Sequence, residues 1–388
     1  MIMEIKLKVD EVLSLLTQVG SVVSPKNSLP ILDNIVIESI DEHATLITAS
    51  DGETWVSGKL MNCESVSSNT KFSVSAKNFI QALSRLNGED VTIKVLEQEN
   101  QIECTYSNGQ FKLPYQDASQ YPLPPQICNT NNPILVTLNV EADNLRTAID
   151  LTKFATANDM LRPVMNGIDF DMFSDKLVLV ASDGHKLVKY QDDTIKCFEQ
   201  EPNATNFIIS TKPATILVKM LQDINPSYSR IELNATTTNI KISNGCFTMT
   251  TRLTEGRYPN YNAVIPIDNN INAIFARNDA INALKRILPF GNTTSNCVRL
   301  EFTNDNLCIS CDDVDFATSA KENIHCTYQG EPFVIGFNGL QLIQVLQNIG
   351  DNNVKAFMSR PEKAAMFTPE TQLHSFTYTS ILMPTLLS

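Results

Sequence analysis

Ala181-Ser182-Asp183-Gly184-His185-Lys186-Leu187 ends a run of apolar residues on a short polar turn, and the turn is already present as Ala49-Ser50-Asp51-Gly52. A fainter copy closes on Ser310-Cys311-Asp312. Reading backwards from each copy gives one order: an amphipathic helix, a loop, then strands of period two. The first stretch starts at Val9 and passes Leu29-Pro30-Ile31-Leu32. The second starts at Glu141 and passes Met165-Asn166-Gly167, and the third starts at Arg277 and passes Val298-Arg299-Leu300. Their spacing of about 130 residues is one ordinary domain each.

Reading forwards, each copy leads into a short strand that turns into a second helix. These begin at Phe72-Ser73-Val74-Ser75, Phe207-Ile208-Ile209-Ser210 and Phe333-Val334-Ile335-Gly336. Ser75 and Ser210 suit helix N-caps, and Pro213 is tolerated in a first turn. More period-2 strands follow, such as Val91–Val95 and Ile231–Ala235, separated by turn signals at Asn108-Gly109 and Asn244-Gly245. The expected fold is α+β: three repeated domains, 1–126, 133–264 and 265–388, each with two helices packed on antiparallel sheets. Pro122, Pro124 and Pro125 with the Asn-rich residues 129–132 mark the first linker, and Pro259 to Asn272 the second.

The 388 residues are 43% apolar and 19% charged, which excludes a disordered chain. A net charge of −13 argues against a basic protein that reads DNA grooves. No apolar run approaches the ~18 residues of a membrane helix. The opening Met1-Ile2-Met3-Glu4-Ile5-Lys6 lacks the layout of a signal peptide, and nine scattered cysteines fit a reducing compartment. A soluble cytoplasmic protein with no membrane partner is expected.

The charge is unevenly placed. The helical stretches 9–24, 76–87, 142–157, 211–222, 277–289 and 338–349 together carry about +4, leaving about −17 for the rest. Leu145, Ala148, Ile149 and Thr152 form one apolar stripe, with Arg146 and Lys153 seven apart on another face. Ala214, Leu217, Val218 and Leu221 repeat the stripe, and Lys212 and Lys219 the spacing. Solvation of exposed faces accounts for any one of these helices. Recurrence in equivalent helices points instead to one shared non-acidic surface.

Catalytic motifs are wanting. Gly52 to Lys59 has the wrong glycine spacing for a phosphate loop, with Leu60 where a hydroxyl would hold Mg²⁺. Cys308-Ile309-Ser310-Cys311 is a lone pair whose thiols point to opposite faces of a strand. Ser182, Asp183 and His185 are adjacent in sequence, whereas a triad converges from separate elements. A hydrolase and a DNA-free β-rich scaffold are the alternatives; no catalytic residue, metal or cofactor is expected.

Leu29-Pro30-Ile31-Leu32-Asp33-Asn34, Ser182 to Leu187, Glu255-Gly256-Arg257-Tyr258-Pro259-Asn260-Tyr261, Ile335-Gly336-Phe337-Asn338 and Met383-Pro384 carry a resemblance over essentially the whole chain. The chain resembles the bacterial sliding clamps, the beta subunits of replicative DNA polymerase III. The resemblance implies a non-catalytic processivity factor: a head-to-tail homodimer closing a six-domain ring, with helices lining the hole and sheets outside. It implies sequence-independent contact with double-stranded DNA through Lys26, Lys77, Arg146, Arg162 and Lys212. It also implies one apolar pocket that takes peptides of the polymerase, the clamp loader and repair proteins. That pocket would comprise Met165, Ser182, Gly184, His185, Lys186, Leu187, Pro259, Val264, Glu362, Ala364, Ile381 and Met383. Phe111 and Leu113 would meet Leu288 and Phe290 of a second copy at the dimer joint. Pro163-Val164 stand where relatives carry aromatic residues, and Ala263 where an Arg is common.

Overall fold

The computed structural model describes residues 3–387 except 25, 28, 62, 66–70, 87, 128–131, 196–204, 223, 373 and 374, so most of the expected Asn-rich linker lies outside the described residues. Among the described residues there are six α-helices, α1 (Val9–Gly20), α2 (Ala76–Leu83), α3 (Ala142–Lys153), α4 (Thr211–Met220), α5 (Arg277–Ile287) and α6 (Gly339–Gln347). None is long and apolar enough to cross a membrane. Helix starts follow local chemistry: the Ser75 hydroxyl accepts the Asn78 amide at 3.5 Å, and the Asn338 side chain accepts the Gln341 amide at 3.1 Å. α2 ends at Leu83, short of the helical stretch 76–87 expected from the sequence.

The α3 stripe is buried as expected, whereas in α4 Val218 is only half-buried and Ile216 and Met220 are buried beside Ala214, Leu217 and Leu221. Leu145, Ala148, Ile149 and Thr152 of α3 are wholly buried, as are Val9, Val12, Leu16 and Val19 of α1. Each such aliphatic side chain removed from water contributes about 1.5–3 kcal/mol.

The chain forms two compact units, residues 1–146 with 212–253, and residues 147–211 with 254–388. The middle repeat is therefore shared between them. The first unit carries a 13-stranded antiparallel sheet and the second a 12-stranded one. One pairing in each sheet joins neighbouring repeats. In the first unit Phe247–Arg252 runs antiparallel to Thr54–Met61, with Met249 opposite Val56. In the second, Phe376–Leu382 runs antiparallel to Lys186–Asp192, with Leu187 opposite Ile381. Both joints obey one rule: the strand after an Asp-headed turn receives the last strand of the next repeat.

Two expectations are corrected. Pro259 to Asn272 is not a plain linker, because Tyr261–Val264 forms a 3-10 turn and a strand starts at Ile271. The third turn is headed by Asp313, not Asp312. The Asp313 carboxylate accepts the amides of Asp315 and Phe316, as Asp51 accepts Glu53 and Thr54 and Asp183 accepts His185 and Lys186. A longer hairpin in the third repeat hides this equivalence in the sequence.

Candidate functional site: an apolar cavity in the second unit

The site is built on the Asp183 turn. Ser182 and Leu187 are opposed on neighbouring strands, and the Ser182 hydroxyl donates to the Lys186 carbonyl at 2.9 Å. The Asp183 carboxylate accepts the amides of His185 and Lys186 at 2.8 Å each, and its other oxygen takes the Lys186 ammonium at 2.6 Å. Burial alone would raise the Asp183 carboxyl, but these three donors outweigh it and hold it below the usual carboxylate range. Ser182 and Asp183 thus serve the turn rather than form a nucleophile and its relay. Gly184 has φ +90°, which favours glycine, and lies against the Arg162 guanidinium.

Above this turn opens a cavity of about 280 Å³. Leu187 and Ile381 are buried and form its floor, while Val264 and Met383 are about half exposed and form its rim. The Met383 amide donates to the His185 carbonyl at 2.8 Å, which fixes the chain end beside the turn. Ten of the twelve residues expected in a pocket line this one cavity: Met165, Ser182, Gly184, His185, Lys186, Leu187, Pro259, Val264, Ile381 and Met383. Ala364 packs on the apolar cluster beneath, and Glu362 is exposed in a turn outside the lining.

Tyr258, Asn260 and Tyr261 also line the cavity and were missed. Two aromatic residues flanking Pro259-Asn260, at the start of the stretch read as a linker, were the available signal. The Tyr261 hydroxyl donates to Asp171 Oδ2 at 2.7 Å, and the Lys189 ammonium lies 5.7 Å from its ring centre. Asp169, two residues before Asp171 on the strand Gly167–Met172, is buried and accepts the Asn206 side-chain amide at 3.1 Å. Burial pushes its carboxyl up to about 7, the Asn206 bond opposing this and the Asp171 charge adding to it.

The residues expected on DNA divide. Lys26, Lys77, Arg146 and Lys212 belong to the first unit, and Arg162 to the second. Arg146 pairs with Asp143 at 3.3 Å and Lys212 with Asp51 at 2.5 Å, whereas Lys26 and Lys77 are exposed with no acidic partner among the described residues. Arg162 pairs with Asp159 at 2.9 Å and rests on the cavity rim at Gly184. An open trough runs between α1 and α4, lined by Asp10, Ser14, Gln18, Lys219 and Gln222 among others.

The residues expected at a dimer joint sit at open sheet edges. Gly109–Gln116 pairs with a second strand only through Tyr115 and Gln116, so Phe111 and Leu113 lie on an edge that is open among the described residues. Thr318–Thr327 is likewise open except at Cys326 and Thr327. Leu288 and Phe290 form a 3-10 turn beside it, and Thr318 Oγ1 donates to the Phe290 carbonyl at 2.8 Å.

Comparison with known proteins decides the family. Residues 3–125, 139–260 and 262–385 match, in order, the N-terminal, central and C-terminal domains of the DNA polymerase III beta subunit. The chain belongs to the DNA polymerase III beta subunit family. The beta sliding clamp of Haemophilus influenzae is 28% identical over 355 residues, covering 91% of this chain and 92% of that one. That of Staphylococcus aureus is 25% identical over 362 residues, covering 91% and 92%. Among solved structures, a Pseudomonas aeruginosa sliding clamp matches with a TM-score of 0.88 at 23% identity, over 99% of this chain and 100% of that one. A Bartonella birtlesii clamp bound to griselimycin matches with 0.89 at 24% identity, over the whole of both. At those identities the structures speak for the clamp fold alone.

Proposed function

We propose that the chain is a DNA sliding clamp, a non-catalytic processivity factor of the replicative polymerase that closes as a dimeric ring around duplex DNA. The observation that carries this is the rule of the two internal joints. Applied a third time, it leaves one strand of each kind unmatched: Thr318–Thr327, which follows the Asp313 turn, and Gly109–Gln116, the last strand of the first repeat. Both lie on edges that are open among the described residues. Two copies arranged head to tail pair both edges, each Thr318–Thr327 taking the partner's Gly109–Gln116, and a closed ring results.

The internal joints also supply a register. Thr54 stands opposite Thr251, and the matching positions here are Thr318 and Leu113. Lys112 then faces Ser319 and Gln110 faces Lys321, and hairpin alternation turns the backbone donors and acceptors of all four outward. Phe111 and Leu113 with Leu288 and Phe290 add apolar contact. In such a ring Lys26, Lys77, Arg146 and Lys212 would meet phosphates without reading bases, leaving the ring free to slide.

The cavity suits an apolar peptide anchor. A buried floor of Leu187 and Ile381, half-exposed Val264 and Met383, and polar groups at Ser182 and Asn260 fit a Leu- or Phe-bearing peptide carried by the polymerase, the clamp loader or repair proteins. Mass in solution tests the ring: two chains of 43.1 kDa are expected, and a monomer at micromolar concentration would sink the reading.

A further inference from the structure

The turns headed by Asp51, Asp183 and Asp313 are one device at two lengths. In the first two, two residues separate the closing positions: the Asp51 amide donates to the Thr54 carbonyl and the Asp183 amide to the Lys186 carbonyl, both at 3.2 Å. In the third, Val314-Asp315-Phe316-Ala317 separates Asp313 from its opposite number Thr318. The longer turn carries two large apolar side chains, Val314 and Phe316, which are 86% and 80% exposed. Its shape is held locally: the Asp313 carboxylate accepts the Asp315 and Phe316 amides at 3.0 and 3.2 Å, and Ala317 takes φ +51°. A turn so fixed loses little entropy when something covers it.

The internal joints share a hydrogen bond that the third position cannot make. At the first, the Arg252 amide donates to the Glu53 carbonyl at 3.1 Å; at the second, the Met383 amide donates to the His185 carbonyl at 2.8 Å. Each ties the turn to the residue just past the position opposite Thr54 or Lys186. On Gly109–Gln116 the matching residue is Pro114, which has no amide hydrogen. The joint lacking that donor is the one whose turn is longer and apolar. The bond from Thr318 Oγ1 to the Phe290 carbonyl also sets Phe290, itself 48% exposed, beside the base of this turn.

We infer that Val314 and Phe316 form an apolar clasp over Pro114 and its neighbours in a second copy of this chain, replacing the missing hydrogen bond at the ring-closing joint. The inference rests on the ring reading above. It makes the intermolecular joint chemically unlike the two internal ones: continuous with the open strand edge, but fastened at the turn by burial of side chains rather than by the backbone.

Sedimentation equilibrium tests it on the full chain. The double variant Val314→Ser, Phe316→Ser, and a chain in which residues 314–317 are replaced by a two-residue Gly-His turn, should each raise the dimer Kd at least about tenfold. Phe316→Leu, which keeps the apolar contact, should stay within about twofold of wild type. The melting temperature of the monomer and peptide binding in the second-unit cavity should not move, showing that the variants fold. An unchanged Kd in folded variants overturns the clasp, including the case where the turn serves a different partner. If Leu113→Glu gives monomers while the turn variants remain dimeric, the clasp alone falls. If the wild-type chain is monomeric throughout, the ring reading falls with it.

Discussion

Leu187 stands directly opposite Ile381 across the antiparallel pairing of Lys186–Asp192 with Phe376–Leu382. Both side chains are buried, and together they floor the cavity whose rim is Val264 and Met383. A strand of the middle repeat and the last strand of the chain therefore have to pair before the cavity exists. Met383 follows that pairing directly and is held by its amide on the His185 carbonyl. The cavity is preformed, which lowers the ordering cost of any peptide that enters it.

Met383→Asp should cut affinity for a fluorescent Gln-Leu-x-Leu-Phe peptide at least about tenfold, because a desolvated anchor contact commonly carries about 2 kcal/mol or more. The rim position is half exposed, so the folded mass should not change. Fluorescence anisotropy reads the affinity directly. Wild-type affinity in the variant would place the peptide site elsewhere.

Leu113→Glu should yield monomers. The side chain shares its face of the open edge strand with Phe111, and a carboxylate there would be buried unpaired on pairing. Light scattering after gel filtration reports the mass, and peptide affinity should be retained because the cavity belongs to the other unit.

Basic residues should differ in their effect on DNA. Lys26→Ala and Lys77→Ala should each lower the salt dependence of duplex binding by close to the ~0.9 expected for one full phosphate contact. Arg146→Ala and Lys212→Ala should do less, since Asp143 and Asp51 already neutralise part of those charges. Asp51→Asn should strengthen binding by freeing Lys212. Slopes measured between low and moderate salt decide this, and four equal slopes would contradict it.

Asp169 should make stability pH-dependent in a stated direction. Its carboxyl is raised from its ordinary value to about 7 in the fold, so the native state holds a proton that the unfolded chain releases. Stability should therefore fall as pH rises from about 4 to about 7 and level off above, the linked term reaching about 4 kcal/mol at most. Asp169→Asn should abolish that slope and melt higher than wild type at pH 8 but not at pH 4. Thermal melts across this range provide the check.

Much of this was legible in the residues because repetition multiplies weak signals. Six helices and three Asp-headed turns each recur at one spacing, and the apolar stripe of α3 marks its buried face, while in α4 the reading included the half-buried Val218 and passed over the buried Ile216 and Met220. What stayed hidden depends on pairing across long distances. Nothing local announces that Leu187 will face Ile381, or that Tyr258 and Tyr261, at the start of an apparent linker, fold into a cavity wall. The two extra residues after Asp313 displaced the third turn by one in the reading, since Asp312 is the acid that meets the eye first. Arg162 reads as one more basic residue until the fold sets it against Gly184.

Encirclement of DNA is the central claim, and one measurement addresses it. The chain is loaded with clamp loader and ATP onto a nicked circular plasmid, then gel-filtered at a salt concentration that suppresses phosphate contacts. Protein should elute with the intact circle and be released when a single-site nuclease linearises it. Equal retention on circle and line, or loss from the circle at that salt, would contradict a ring held by topology.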